Sequence, residues 1–182
     1  DIELDLSRRC VQRKIRGFIR MGIIAAVHIG TPCSSFSRAR GIPGGPPPLR
    51  SDRVPFGREA CTSPSDVAKI QMGNRLAKFS IGIFEVCRRM GIIVSLENPD
   101  LSKFWLLPAF HEMQSRTKVG VMRTYFCQDG TAWRKRTNVM YANCDLSGVP
   151  RLCSGQRGIC SRTHARHQHL QGKASSGVFR TL

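Results

Sequence analysis

Ile23-Ile24-Ala25-Ala26-Val27-His28-Ile29-Gly30-Thr31-Pro32-Cys33 runs from an apolar, largely β-branched segment into a Gly-Thr-Pro-Cys break. The β-branched run from Ile23 to Ile29 shows no polar alternation, so it predicts a strand buried on both faces of a parallel sheet. Ile92 to Leu96 repeats the pattern and ends at Glu97-Asn98-Pro99. Before the first run, Ser7 is placed to cap a helix reaching about Met21, with Val11, Ile15 and Ile19 on one face, Arg and Lys on the other, and Gly22 to stop it. Between the runs, Leu76, Phe79, Ile83, Val86 and Met90 recur at three- and four-residue steps, predicting a helix from Ser65 or Asp66 to Met90, closed by Gly91. A short amphipathic helix around Phe104, Trp105 and Leu106 follows. Val119 to Cys127 and Thr137 to Ala142 predict two more strands, paired as a hairpin whose connection holds Asp129-Gly130. Helix, strand, helix, strand, helix implies an α/β fold, and such sheets bind ligands outside the carboxyl ends of their strands.

The chain of 182 residues is long enough for one domain with appendages. Lys and Arg number 29 against 12 acidic residues, and the formal charge of +17 makes a polyanion the natural partner, with DNA first and RNA open. No apolar run approaches the roughly eighteen residues that span a bilayer, so a membrane role is disfavoured. Eight cysteines without a leader pattern predict reduced thiols or metal ligands and an intracellular, nuclear or nucleoid-associated protein. A first residue other than Met predicts a piece of a longer chain. Residues 34–63 are rich in Gly, Pro, Ser and Arg and predict an irregular basic arm, in which Arg38, Arg40, Arg50 and Arg53 are candidate phosphate ligands.

If the two buried strands are neighbours, roughly 5 Å apart, Cys33 and Glu97 reach one bound molecule. A nucleophilic cysteine needs an accessible thiolate near positive charge, and Arg38 and Arg40 follow Cys33 closely. The plainer alternative is a buried structural thiol. Glu97 is either a solvated strand-end carboxylate or the partner of a polar ligand such as a base edge, and Asn98-Pro99 also reads as turn chemistry.

Thr31-Pro32-Cys33 after one strand and Glu97-Asn98 after the next resemble the two catalytic signatures of cytosine-carbon-5 DNA methyltransferases. The runs TPCSSFSRARG (31–41), GGPPPLRS (44–51), LENPDLSKFW (96–105) and WRKRT (133–137) resemble a divergent branch found in phages and mobile elements. The resemblance implies a Rossmann-like S-adenosylmethionine methyltransferase sheet over residues 1–146, truncated at its N-terminus, and a basic Cys/His-rich tail over 147–182. It implies attack by Cys33 on a flipped cytosine, recognition of the base by Glu97, and positioning by Asn98. It also implies a base-contacting arginine at Arg136, with Arg134 as alternative, or else an ordinary basic hairpin, in which Lys135 would face phosphate. Asp1 or Asp5, together with Pro32, would approach the methyl donor, although the aromatic-Gly-x-Gly turn that cradles the donor in the family is missing.

Cys127, Cys144, Cys153 and Cys160 with His164, His167 and His169 supply enough ligands for a four-coordinate zinc site, or else remain separate thiols on a basic tail. No Cys-x-x-Cys spacing decides between these. Similarity to the divergent branch favours Cys127, Cys153, Cys160 and His167.

Overall fold

The computed structural model describes residues 5–41, 45–58, 63–149 and 151–168. The expectations at Asp1, at His169 and for the rest of the tail lie outside the described residues. Helix α1 (Arg9–Arg20) leads to strand β1 (Ala26–Gly30), helix α2 (Pro64–Arg89), strand β2 (Ile93–Pro99), helix α3 (Pro108–Gln114) and strands β3 (Val119–Tyr125) and β4 (Arg136–Ala142). The sheet order is β1-β2-β4-β3. β1 and β2 are parallel, whereas β4 runs antiparallel to both β2 and β3. The sheet is therefore mixed, with the predicted hairpin folded back so that its second strand lies against β2.

The apolar side of α2 covers β1 and β2, while α1 packs on α2 and α3 on β3. Val94, Leu96, Met140 and Ala142 face this layer and meet Ile83, Phe84, Cys87, Phe104 and Phe110 in one core. Truncating a fully buried phenylalanine such as Phe84 or Phe104 to Ala would cost about 3–5 kcal/mol. His28, Ser95 and Glu97 occupy the opposite side, where His28 Nδ1 lies 2.8 Å from Ser95 Oγ.

This arrangement corrects the expectation of strands buried on both faces. β1 starts only at Ala26 and alternates between exposed and half-buried residues, and Ile23 is 69% exposed. β1 is an edge strand among the described residues, with a partner on the β2 side alone and helices over one face. β2 alternates likewise and extends through Glu97-Asn98-Pro99, which pair with Val139, Asn138 and Thr137 of β4 rather than forming a turn. Ser7 does not cap α1; it bonds to Asp5 through both its N–H and its hydroxyl.

The helix ends follow the sequence more closely. Gly22 and Gly91 adopt left-handed φ of 71° and 74° just past α1 and α2, conformations that need no Cβ. Asn143 then donates its amide to the carbonyls of Cys87, Arg88 and Ile92, satisfying the exposed end of α2. Among the described residues no helix is long and apolar enough to cross a membrane.

Candidate functional site

β1 ends at Gly30, which lies opposite Glu97 in the parallel register, two residues before β2 ends at Pro99. Cys33 follows Gly30 by three residues on a turn closed by the Phe36 N–H bonding to the Cys33 carbonyl. Two contacts hold this turn in place. Thr31 Oγ1 donates to Ser80 Oγ of α2 at 2.7 Å, and Asn98, 1% exposed, donates Nδ2 to the Thr31 carbonyl at 2.8 Å. Asn98 thus ties the glutamate strand to the cysteine loop, and its Oδ1 has no partner among the described residues.

Arg50 locks the loop from the other side. It was expected to contact phosphate, but it is 3% exposed and its guanidinium lies 3.7 Å from the centre of the Phe36 ring. Its donors reach Ser35 O and Oγ, Pro55 O, Ile70 O and Asn74 Oδ1, all between 2.7 and 3.2 Å. An arginine has five N–H donors, so all are engaged and none remains for a ligand. Burial lowers the Arg50 pKa to about 10, which leaves it charged at neutral pH. Gly73 on α2 makes room for this packing, because a Cβ there would lie 2.3 Å from Ser35 Oγ and 2.8 Å from the Arg50 guanidinium.

The remaining cations also fall differently from expectation. Lys135 Nζ sits 3.7 Å from Glu97 Oε1 and 4.5 Å from the centre of the Phe126 ring. Burial raises the Cys33 thiol above its ordinary pKa, the Lys135 charge pulls it down, and the Glu97 carboxylate pushes it up. The charges of Glu97 and Lys135, themselves an ion pair, both reach the Cys33 thiol. Arg136, expected to face the base, instead places Nε 2.5 Å from Asp100 Oδ2, while Arg123 approaches the other Asp100 oxygen at 3.2 Å. Arg134 turns toward the C-terminal segment, donating to Cys153 O at 2.7 Å and lying 4.5 Å from the centre of the Tyr125 ring.

The residue types could not reveal this exchange of roles, since Arg134-Lys135-Arg136 is a uniform basic run. The hairpin register decides it: β4 starts at Arg136, opposite Tyr125, and Lys135 is turned toward Glu97. Strand alternation was the available signal, but using it required the first residue of the strand.

The basic arm is partly folded. Arg40 is half-buried between the Pro47 carbonyl and Asp66, while Arg53 is exposed. Arg38, Arg58 and Lys103 border a cleft of about 620 Å³ beside the cysteine loop, where Asp52 pairs with Lys103. Lys103, from outside the arm, joins this cleft through the fold. On the other flank, Asp5 and Pro32 line a mainly apolar cavity of about 730 Å³ with Val27, Ile29, Leu76 and Phe79. Among the described lining residues His28 is the only basic side chain that could meet the carboxylate of an S-adenosylmethionine, so the lining does not make a complete site for that group.

Cys127, Cys153, Cys160 and His167 converge, with their ligand atoms within 4.8 Å of one another. Three sulfurs and an imidazole nitrogen form a set that fits a four-coordinate metal ion and is compatible with zinc. Cys127, Cys153 and Cys160 are buried, and Gln128 Nε2 points at the sulfurs of Cys127 and Cys160. Backbone N–H groups of Thr163 and Arg162 lower the Cys160 pKa, stabilising the thiolate a metal requires. The Ser161 N–H lies 3.5 Å from Cys153 Sγ. Cys144 and His164 stand outside this set.

No family model, curated protein or solved structure matches the chain.

Proposed function

We propose that this chain carries the base-binding and nucleophilic half of a DNA cytosine-5 methyltransferase-like enzyme. The supporting observation is the grouping of Cys33 just past β1, Glu97 near the end of the adjacent parallel β2, and Lys135 just before β4. In this reading the Cys33 thiolate adds to carbon 6 of a cytosine extruded from the stack, and the bond electrons pass to carbon 5. Glu97 binds ring nitrogen 3 and the exocyclic amine, while Lys135 stabilises the thiolate and faces the base carbonyl. Asn98 and Arg50 act as positioning residues, holding the cysteine turn at the strand end. Extruding a base costs a few kcal/mol, offset by phosphate contacts and by the pocket. S-adenosylmethionine would supply the methyl group, with its adenosine beside Asp5 and Pro32. Loss of the carbon 5 proton and departure of the thiolate then complete the exchange.

Zinc is the metal we assign to the Cys/His set, as a structural ion. It would tie residues 151–168 to the β3–β4 hairpin through Cys127 and, indirectly, Arg134. The same reading puts the protein with nucleic acid, in a nucleus or nucleoid.

Hydrogen exchange at carbon 5 tests the chemistry without requiring a methyl donor. Thiolate addition makes carbon 5 basic, so solvent protonation and elimination release tritium from DNA containing 5-tritiated cytosine. Release is expected from the wild-type chain and should vanish in Cys33→Ser; release unchanged by that substitution, or absent at saturating DNA, overturns the proposal. A second reading, a non-catalytic nucleic-acid-binding protein on the same sheet, draws on the raised Cys33 pKa. It expects tight, salt-sensitive DNA binding with no exchange.

A further inference from the structure

Five carboxylates of the described chain neutralise a particular subset of its cations. Asp52 pairs with Lys103, Asp66 with Arg40 and Lys69, Glu85 with Arg88 and Arg89, Glu97 with Lys135, and Asp100 with Arg123 and Arg136. None of these pairs touches the groove between α1 and α2. That groove, about 560 Å³, is bordered by Arg9, Arg13 and Arg16 of α1 and by Arg75 and Lys78 of α2. Among the described residues no acidic side chain lines it. Its floor is Phe79, 6% exposed, with the Arg16 guanidinium 5.3 Å from the ring centre.

The spacing explains how the groove forms. Arg9, Arg13 and Arg16 are four and three residues apart, which aligns them along one side of α1. Arg75 and Lys78, three apart on α2, face them across the floor. The α1 row is about 10 Å long at 1.5 Å per residue, comparable to the rise of about three nucleotides at 3.4 Å each. Five like charges around one concavity repel one another, offset among the described residues only by the Arg16 contact with Phe79, so the favourable occupant is a polyanion. A concave groove with charge on both walls admits a chain of phosphates, whereas a flat anionic surface meets only its rims.

We infer that the α1–α2 groove is a phosphate-tracking site for a nucleic-acid backbone, built from residues other than Cys33, Glu97 and Lys135. The choice of nucleic acid rests on the function proposed above; the groove's anion preference does not. Arg9, Arg13, Arg75 and Lys78 are exposed, so replacing all four by Gln leaves the core intact.

The test is the salt dependence of affinity for a random-sequence DNA duplex, measured with the full chain. Each phosphate contact contributes roughly 0.9 to the slope of log affinity against log salt, so R9Q/R13Q/R75Q/K78Q should lower the slope by about 3 to 4. Between 50 and 200 mM salt, the wild-type affinity should then fall about 100-fold more than that of the variant. The variant R116Q/K118Q/R151Q/R157Q removes the same charge from other exposed positions and should lower the slope by less than half as much. Equal losses in both variants, or a groove variant with a slope unchanged within about one unit, overturn the inference. So does a groove variant that loses binding to phosphatidylserine vesicles while its DNA slope persists. Cys33→Ser should keep the wild-type slope, so failed hydrogen exchange and a failed groove give different results.

Discussion

Replacing Arg50 by Met removes a charge from the interior and should still destabilise the protein. The guanidinium engages five acceptors, three of them backbone carbonyls at Ser35, Pro55 and Ile70. Methionine fills much of the volume but donates nothing, leaving those carbonyls short of a partner at about 1 kcal/mol each. Loss of the Phe36 stack adds about 1 kcal/mol, and relief of the buried charge returns part of the total. The net cost is about 3 kcal/mol, or a melting temperature lower by about 6–12 °C for a chain of this length. Arg50→Lys keeps the charge but loses the planar fork, so it should fall between wild type and Met. Thermal unfolding followed by circular dichroism reads the stability. Limited trypsin digestion, with cleavage expected at Arg38 and Arg40, reads the release of the cysteine loop. A Met variant melting within about 2 °C of wild type, or a Lys variant indistinguishable from it, would refute the claim that this fork secures the loop.

Two further outcomes follow from the same geometry. The chain should bind one equivalent of zinc or cobalt through Cys127, Cys153, Cys160 and His167, with affinity falling as acid protonates the ligands. Cys160→Ser or a strong chelator should expose residues 151–168 to protease while leaving the melting of the α2-covered core unchanged; full metal retention by Cys160→Ser would count against the site. For Cys33, the folded pKa lies above the ordinary thiol value because of burial, so alkylation by iodoacetamide should accelerate only at correspondingly higher pH. Lys135→Met withdraws a charge that favours the thiolate and should move this profile upward. Glu97→Gln withdraws one that opposes it and should move the profile downward. Peptide mass spectrometry reads both, and an upward shift for Glu97→Gln would contradict the electrostatic grouping.

The order of elements was legible in the sequence because apolar periodicity is a local property. Leu76, Phe79 and Ile83 announce a helix through their spacing, and Gly22 and Gly91 mark helix ends because only glycine turns there without strain. The Cys33–Glu97 pair was legible for a related reason, since both residues end apolar runs that a crossover helix separates. The metal set was visible as a supply of ligands. Its choice of Cys127, Cys153, Cys160 and His167 came from resemblance rather than from spacing.

The chain's pattern of apolar runs and breaks determined an α/β sheet with a thiol and a carboxylate at neighbouring strand ends, because such patterning acts within a few residues. Which arginine or lysine serves which purpose was decided only by the tertiary structure. Arg50 is buried by α2, Arg136 is taken by Asp100, and Lys135 is brought to Glu97 by the β3–β4 register. Basic side chains are alike in sequence, and their roles differ only by the distant groups that folding sets beside them.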